Sequence, residues 1–531
     1  MKLFTDNRME NFNVTEVSLD GCKLIEASAG TGKTHSVGIL VLRLLLEKNI
    51  KINQIMMVTF TQAAVEEMKS RIRNFVYQAW QYSHDSSHSI DAGVKQYLAI
   101  YQGREQELQR VLNEAVSILD EVSIFTIHGF CARTLKEFAF ETNQSFDLKM
   151  TTDFSEILYE ALHIVWRKNI TTLPPVLLKK LFDLSFSDAK LAEMTKAYLD
   201  GCHLRDEVLP VETDIADILN SLENLNNEVM LAQNAIATHI ENNEEIVMRA
   251  VHEQNKGSRL YKLFNASSQS IIDDLDSFVL EFKKSSKIDR FNTDFRELIQ
   301  NYTYAKEASL TYSKLALTTI YHRNAIEIVK EIQNIKNRRS IQTFDDLIHN
   351  LHRTVTTESG QNLCKSLRAK YKAVFIDEFQ DTDKYQYEIF SSVFMGHPNT
   401  IFFIGDPKQS IYSFRKADLD VYKLARSKSE TFTMYNNYRS NEPLLEKLNR
   451  FFGVEDPFAD NEIAYTEVGC GKPDLGRLVD ENGNENCFEC FEYSNKGQAT
   501  QHMVEKILRL LAKGYSILEK GKTRKILPSD I

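Results

Sequence analysis

One stretch of the sequence places small residues before a lysine and a threonine in the order that phosphate binding requires. An apolar segment precedes it and apolar residues at helical spacing follow, which predicts a strand, a loop and a helix. Small residues let backbone N–H groups turn toward an anion, and the helix N terminus adds partial positive charge. Lys33 is predicted to reach a nucleotide's outer phosphates, and the Thr34 hydroxyl to hold Mg²⁺. The loop consists of Ala27, Ser28, Ala29, Gly30, Thr31, Gly32, Lys33 and Thr34.

The alternative for this stretch is a chance turn of small residues beside a lysine. Its flanking strand and helix disfavour that interpretation. The usual pattern opens with glycine, where this chain has Ala27. Alanine fits there if the position does not need a positive φ.

Two adjacent acids, Asp377 and Glu378, follow the apolar segment Ala373–Ile376. Asp377 is predicted to hold Mg²⁺, and Glu378 to orient and deprotonate an attacking water. Acids after a strand also occur as ordinary helix N-caps, so the pair alone does not decide between these roles. Together with the phosphate loop, the pair favours the catalytic interpretation.

Another set of polar and aromatic residues follows the predicted strand Thr400–Ile404. Gln409 is predicted to sense the γ-phosphate, while Tyr412 and Phe414 offer ring faces to nucleic-acid bases. Stacking contributes about 1–3 kcal/mol per base without reading sequence. The alternative is that either ring packs in a hydrophobic core.

The elements that must position these residues alternate between strands and helices, which predicts an α/β fold with a doubly wound parallel sheet. In such sheets ligands bind at the carboxyl ends of the strands, so the phosphate loop and Asp377 are expected to meet there. The predicted strands are Lys23–Glu26, Ile55–Phe60, Val122–Ile127, Ala373–Ile376 and Thr400–Ile404. Between the second and third of them, apolar residues recur at helical spacing from Ala64 to Ala79. A surface loop is predicted at Tyr82–His88.

The region from Phe154 to Arg338 contains few glycines and prolines and no clear strand pattern. It is predicted to be an all-helical insertion with charged outer faces. Its basic clusters, at 283–284 and 336–339, are predicted to be solvated surface.

The length, charge and composition of the chain limit the classes of function that it can have. A chain of 531 residues is expected to hold about three or four domains. Its formal net charge of −10 gives no global support for nucleic-acid binding, so any such contact must be local. The sequence has no apolar run long enough to cross a membrane and no apolar signal core. With 7 scattered cysteines, a cytoplasmic location is expected.

A zinc site is the alternative for one group of cysteines, Cys470, Cys487 and Cys490, with His502 as the nearby fourth ligand. The residues from Cys487 to Tyr493 alternate in a way that favours a strand instead.

Six motifs occur in an order that resembles the UvrD/Rep type of superfamily 1 DNA helicases. Their sequences are ASAGTGKT (27–34), VTFTQAAVEEM (58–68), FTIHGFC (125–131), FIDEFQDTD (375–383), GDPKQSIYSFR (405–415) and NNYRS (436–440). The longer strings LIEASAGTGKT, TFDDLI and IDEFQDTDKYQYEIF resemble the RecB family of exonuclease V subunits more closely than a stand-alone helicase. The resemblance covers nearly the whole chain, although the helical region carries few distinctive motifs.

The resemblance implies a role for each matching residue, with ATP and Mg²⁺ as cofactors. Lys33 and the rest of the loop 27–34 would bind phosphates, and Thr34 and Asp377 the metal. Glu378, Gln409 and Arg439 would act in catalysis, with Gln409 and Arg439 reaching the γ-phosphate. The residues implied to line a single-strand DNA channel are Thr59, Phe60, Thr61, Thr126, His128, Tyr412 and Phe414. For His128, a structural role is an open alternative.

The resemblance also implies a domain organisation. Residues 1–150 and 339–432 would form a RecA-like P-loop NTPase domain, interrupted by the helical insertion 151–338. Residues 433–531 would form an incomplete second RecA-like domain, because the later helicase motifs and any nuclease motif are absent from this sequence. No glutamine precedes Gly30, so the adenine contact is unassigned, and Lys416 replaces the glycine usual after Phe-Arg.

The function implied for the whole protein is ATP-driven 3′–5′ translocation and unwinding of DNA in double-strand break repair and recombination. Its expected partners are single-stranded DNA, duplex ends, and RecC-like and RecD-like subunits. This chain alone is expected to be poorly active. The alternatives are an ATP-responsive binding or assembly module without motor work, and a fragment of a stand-alone UvrD-like helicase.

Overall fold

The structure is a computed structural model, and it describes residues 10–140, 142, 149–151, 154–199, 208–210, 213–411, 418–455, 457–458, 460, 462–480, 482–485, 488–512 and 514–531. The strands of this part are β1 (Glu10–Asn11), β2 (Cys22–Ala27), β3 (Ile55–Thr59), β4 (Ser123–Thr126), β5 (Lys149–Met150), β6 (Ile341–Gln342), β7 (Ala373–Ile376), β8 (Thr400–Gly405), β9 (Glu430–Met434), β10 (Asn436–Asn437), β11 (Gly469–Cys470), β12 (Arg477–Asp480), β13 (Tyr515–Glu519) and β14 (Lys522–Lys525).

Helices make up most of the remaining described chain. They are α1 (Lys33–Glu47), α2 (Gln62–His84), α3 (Ala92–Leu98), α4 (Glu105–Ser117), α5 (Ile127–Glu137), α6 (Phe154–Val165), α7 (Pro175–Asp183), α8 (Asp188–Leu199), α9 (Ile215–Asn242), α10 (Glu244–His252), α11 (Arg259–Phe264), α12 (Gln269–Asp273), α13 (Leu275–Lys284), α14 (Thr293–Arg339), α15 (Phe344–Val355), α16 (Gln361–Lys370), α17 (Lys384–Phe394), α18 (Leu419–Ser427), α19 (Glu442–Phe452) and α20 (Lys496–Leu511). Among them, none combines the length and the apolar character that a membrane crossing requires.

The chain divides into two compact units, one formed by Met1–Leu148 with Gln342–Ile531 and the other by Lys149–Ile341. The first unit contains a parallel sheet of seven strands in the order β1-β9-β2-β8-β7-β3-β4. The strands β7 and β8, which lie between β2 and β3, come from beyond residue 370. The sheet therefore joins the two halves of this unit, which are far apart in sequence.

Alternate side chains of each strand enter different hydrophobic cores on the two faces of this sheet. In β2, Ile25 lies in the core that α1, α2 and α4 cover, while Leu24 lies in the core that α5, α15, α16, α17 and α18 cover. Because helices cover both faces, the inner strands β3, β7 and β8 are buried on both sides, which explains their nearly continuous apolar sequences. The edge strand β1 is exposed and polar. The predicted α/β fold with a doubly wound parallel sheet is confirmed.

The predicted strands agree with the observed ones to within about two residues, and Ala373–Ile376 agrees at both ends. Two local predictions for the first unit are wrong. The loop predicted from Tyr82 begins later, because α2 continues to His84, whose Nδ1 lies 2.9 Å from the Trp80 carbonyl oxygen. The strand predicted from Cys487 is absent from the described residues 488–493, which are exposed and have no paired strand.

In the described part of the second unit, the regular structure is helical apart from the short strand β5 and Ile341 at the start of β6. The 47-residue helix α14 runs through two separate hydrophobic cores. Its C-terminal half packs with α6, α7, α8 and the start of α9, and its N-terminal part with α10–α13 and the end of α9. The basic cluster at 336–339 was predicted to be solvated, but Lys336 is buried, with its ammonium group over the Phe154 ring.

Candidate functional site

The phosphate loop lies between the end of β2 and the start of α1. Gly30 and Gly32 adopt left-handed φ angles of 81° and 86°, a conformation that glycine adopts without a steric penalty. The Thr31 hydroxyl donates a 2.7 Å hydrogen bond to the Ser28 carbonyl oxygen, which tightens the turn. The helix begins without a side-chain cap, so its first N–H groups remain available to an anion.

A cavity of about 360 Å³ opens in front of this loop. Its lining residues come from the loop, the ends of β3 and β7, the start of α2, and the segment after β10. They are Gly30, Gly32, Lys33, Thr34, His35, Thr59, Ala64, Glu67, Met68, Arg71, Asp377, Glu378, Tyr438 and Arg439. The structure thus brings Lys33, Asp377 and Arg439 to one cavity, although they are far apart in sequence.

An ion pair joins the loop to the acids after β7. Lys33 Nζ lies 3.2 Å and 3.4 Å from the two carboxylate oxygens of Glu378. Glu378 itself has a φ of 50°, which is uncommon for a residue other than glycine. Such strain persists only where surrounding contacts enforce it, and it concentrates at functional sites. The backbone therefore aims this carboxylate at the loop lysine.

Asp377 continues the line of β7, and its N–H donates a 2.8 Å hydrogen bond to the Val58 carbonyl oxygen of β3. Burial raises the pKa of Asp377 to about 6, the Glu378 carboxylate adds to this effect, and Lys33 opposes it. Burial likewise raises the pKa of Asp381 to about 6, with Glu378 again adding and Lys33 opposing. A cation at this site would offset the repulsion among these acids.

The cavity offers oxygen ligands of the kind that Mg²⁺ prefers, from Thr34 and Asp377. The Thr59 hydroxyl, at the end of β3, is buried and has no hydrogen-bond partner among the residues that the structure describes, so it places another oxygen at the same wall of the cavity. Among the described residues, no group of three or more His, Cys, Asp or Glu side chains is arranged to hold a metal. Magnesium fits such a site, because it commonly takes one or two protein oxygens together with phosphates and waters.

The end of β10 and the residue that follows it are bonded directly to the phosphate loop. The buried Asn437 donates from Nδ2 to the Ala29 carbonyl oxygen at 2.8 Å, and the Tyr438 N–H donates to the Gly30 carbonyl oxygen at 2.8 Å. Asn437 Oδ1 also accepts the N–H groups of Arg439 and Ser440, each at 2.8 Å. These bonds fix the backbone of Arg439 beside the loop.

We expect Gly30→Ala to weaken nucleotide binding, because the added Cβ would lie 2.7 Å from Arg439 Cβ and 2.8 Å from Asn437 Nδ2. Gly103→Ala is the matched control, since Gly103 has a φ of 86° but no heavy atom within 4 Å of the added Cβ. Left-handed strain costs each variant about 1–2 kcal/mol of stability. ATP titration and thermal unfolding of both variants should show the affinity loss in Gly30→Ala only. Equal affinity in the two variants would contradict the importance of this close approach.

Gln409 is placed differently from the other predicted catalytic residues. Its Nε2 donates a 2.8 Å hydrogen bond to Asp406 Oδ2, and it is not part of the cavity lining. Asp406 is buried and also accepts Lys408 Nζ at 2.7 Å. The side chain of Gln409 is therefore held at the end of β8 by its own turn.

The residues predicted to line a DNA channel lie partly at neighbouring strand ends. Thr59 and Thr126 are register partners of β3 and β4, so Thr59–Thr61 and Thr126–His128 follow adjacent strands at one edge. The hydroxyls of Thr61 and Thr126 cap α2 and α5 by accepting the N–H groups of Ala64 and Gly129. Tyr412 and Phe414 lie outside the described residues.

Phe60 and His128 complete this predicted set. Phe60 directly follows β3 and is partly exposed. His128 lies in the first turn of α5, with its ring edge-on to Phe344 at 5.7 Å. Burial lowers the pKa of His128, although Asp345 and Asp383 act to raise it. The zinc alternative gains no support, since Cys487 lies outside the described residues and Cys470 belongs to β11.

Several cavity residues were not singled out from the sequence. Glu67 and Arg71 are ion-paired on α2, one turn apart, and Tyr438 is 50% exposed at the cavity. His35 Nε2 lies 2.8 Å from Asp91 Oδ1. Glu67 and Arg71 belong to α2, which starts directly after β3. Because ligands bind at the carboxyl ends of parallel strands, the place of this helix after a strand is the sequence signal that could have identified them.

Comparisons with known proteins identify a family for this chain. Residues 9–430 match the family described as UvrD/REP helicase N-terminal domain. The chain is 29% identical over 492 residues to the RecBCD enzyme subunit RecB of Escherichia coli K12, which covers 88% of this chain and 41% of that protein. The RecB subunits of Haemophilus influenzae and Chlamydia pneumoniae are each 28% identical, over 86% and 85% of this chain and 42% and 44% of theirs. The chain thus spans about two fifths of the length of these curated relatives.

Proposed function

Because this chain belongs to the UvrD/REP helicase N-terminal domain family and is RecB-like, we propose that it is the ATP-hydrolysing motor portion of a RecB-like DNA helicase subunit. One observation carries the proposal: Lys33, Asp377, Glu378 and Arg439 line a single cavity in front of a phosphate loop. A shared cavity is what phosphoryl transfer requires, since catalysis there consists mainly of positioning and charge stabilisation.

Each residue then has a chemical task. Lys33 and the N–H groups of the loop 28–34 bind the outer phosphates of ATP, and Thr34 and Asp377 hold Mg²⁺, which when bound neutralises phosphate charge. Glu378 accepts a proton from the attacking water, and Arg439 stabilises charge that develops on the γ-phosphate. The Lys33–Glu378 ion pair keeps both side chains at the cavity before the nucleotide arrives.

Two further contacts complete the proposed ATP site. The half-exposed ring of Tyr438 offers the adenine base a face at the rim of the cavity. Gln409 reaches the γ-phosphate only after its amide leaves Asp406 Oδ2. Its predicted role as a phosphate sensor therefore requires a local rearrangement at the end of β8.

We also propose the domain organisation that the sequence suggests. Residues 1–150 and 339–432 would form a RecA-like domain, interrupted by the helical insertion 151–338, with an incomplete second RecA-like domain from 433 to 531. The parallel sheet and its phosphate loop support the first assignment. Short strand pairs and ladders after residue 435, such as β12-β13-β14, are compatible with the second.

In the whole protein, this motor would move 3′ to 5′ along one DNA strand during double-strand break repair and recombination. The proposed DNA contacts are Thr59, Phe60, Thr61, Thr126, His128, Tyr412 and Phe414. Proposed partners are RecC-like and RecD-like subunits, because the similar proteins are named as subunits of the RecBCD enzyme. ATP and Mg²⁺ are the proposed cofactors.

For this chain alone, we expect Mg-ATP binding, slow hydrolysis and no DNA unwinding. Removing an arginine finger from comparable enzymes lowers the rate about 10³- to 10⁵-fold, and the later helicase motifs are absent from this sequence. The measurement is ATP turnover with and without single-stranded DNA, beside strand displacement from a partial duplex. Rapid DNA-stimulated turnover that Lys33→Ala abolishes would contradict the slow activity. Failure to bind Mg-ATP at all would contradict the proposed site.

A further inference from the structure

The side chain of Gln380 connects the proposed catalytic carboxylate to the end of a neighbouring strand. Gln380 follows β7 by four residues and is 3% exposed. Its Nε2 donates a 2.8 Å hydrogen bond to Glu378 Oε2, and its Oε1 accepts the Asp406 N–H at 3.0 Å. Asp406 directly follows β8, which pairs with β7 in the sheet.

The chemistry of the groups fixes the orientation of this amide. A backbone N–H can only donate, so the side-chain oxygen of Gln380 must face Asp406. The NH₂ group then faces Glu378, and a carboxylate accepts such a bond. Both ends of the amide are therefore satisfied in one orientation only.

The surrounding backbone is built around this side chain. A Cβ on Gly405 would lie 2.6 Å from Gln380 Oε1, so glycine is what lets the amide approach β8. Ser410 Oγ donates a 3.3 Å hydrogen bond to the Gln380 carbonyl oxygen. The segment 405–410 is thus attached to Gln380 through both its side chain and its backbone.

We propose that Gln380 is the positioning residue for Glu378, which it holds at a fixed place relative to the end of β8. This inference rests on the proposed function, in which Glu378 deprotonates the attacking water. Glu378 has a left-handed backbone and a carboxylate that Lys33 also attracts. The amide of Gln380 restrains the same Oε2 atom that Lys33 contacts at 3.2 Å. It therefore limits the movement of the carboxylate when the Lys33 side chain moves.

The test compares Gln380→Ala and Gln380→Glu with the wild type. Gln380→Glu keeps the shape and the acceptor for the Asp406 N–H, but in its ionised form it has no proton to donate to Glu378 and repels that carboxylate. We expect both variants to lower single-turnover ATP hydrolysis about 10- to 100-fold, the effect of a misplaced catalytic group. The Mg-ATP affinity of Gln380→Ala should be unchanged, because Gln380 does not line the cavity and this substitution adds no charge.

Gln386→Ala is the matched control, since Gln386 is also a buried glutamine, at 6% exposure, and lies on α17 away from the cavity lining. It should retain turnover, and thermal unfolding of both variants shows whether each one remains folded. Gly405→Ala, which acts from the neighbouring strand, should reproduce the turnover loss. In a Glu378→Gln background, Gln380→Ala should cause no additional loss of turnover. The reason is that Gln380 acts only by positioning the Glu378 carboxylate, which this background lacks.

Wild-type turnover in both Gln380 variants would overturn the proposal. It would also be overturned if Gln380→Ala lowered turnover by the same factor in the Glu378→Gln background as in the wild type. A parallel loss of turnover in Gln386→Ala would also overturn it, since it would indicate a merely structural effect. Failure of the proposed function has a different signature: the wild type would not bind Mg-ATP, or Glu378→Gln would hydrolyse ATP normally. Normal Gln380 variants beside an inactive Glu378→Gln would reject this inference alone.

Discussion

Replacing Glu378 with glutamine is expected to lower ATP hydrolysis about 10²- to 10⁴-fold, the contribution typical of a positioned general base. Glutamine has nearly the same shape but cannot accept the proton of the attacking water. Mg-ATP binding should persist, because the change leaves Lys33 and the loop amides in place and removes the ion pair that occupies Lys33 without nucleotide. Single-turnover hydrolysis and ATP titration measure the two effects separately.

Glu114→Gln is a suitable control for Glu378→Gln. It makes the same chemical change at an exposed residue of α4, whose carboxylate pairs with Lys51. This variant should hydrolyse ATP like the wild type. Normal hydrolysis by Glu378→Gln would show that another group activates the water, and the assignment of the base would have to be abandoned.

Lys33→Ala is the second change with a large expected effect. The side chain of Lys33 is 16% exposed and lines the cavity, where its ammonium group is the cation that the phosphate loop supplies. Removing one preorganised charge or donor of this kind costs about 10²- to 10³-fold in turnover. The loss should appear in ATP hydrolysis measured at saturating Mg²⁺ across a range of ATP concentrations.

The matched control is Lys51→Ala, which removes an exposed lysine that pairs with Glu114 and lies outside the cavity. Its turnover should equal that of the wild type. Equal loss in both lysine variants would indicate a general effect of charge, and unchanged turnover in Lys33→Ala would remove the central residue of the proposed site.

Much of the α/β framework could be predicted from the sequence, because the framework depends on local patterns of apolar residues. Apolar strands flanked by helices predict a parallel sheet, and the rule that ligands bind at carboxyl ends brings the loop near Asp377. The structure places both in one cavity. The boundary errors have local causes too, such as the continuation of α2 to His84.

Contacts between distant segments could not be predicted in this way. Asn437 bonds to Ala29, and Gln380 to Asp406, only because the sheet brings β2, β7, β8 and the segment after β9 together. No periodicity encodes those pairs. The left-handed backbone of Glu378 is likewise a consequence of tertiary contacts, since its sequence neighbours contain no turn signal that requires it.

We propose above all that Lys33 and Asp377, with the residues around them, bind one Mg²⁺-bound triphosphate. The most direct test is a calorimetric titration of ATP into the wild type and into Lys33→Ala, each with and without Mg²⁺. We expect Mg²⁺ to strengthen ATP binding by the wild type, and we expect Lys33→Ala to lose most of this affinity. ATP affinity that depends neither on Mg²⁺ nor on Lys33 would contradict this proposal.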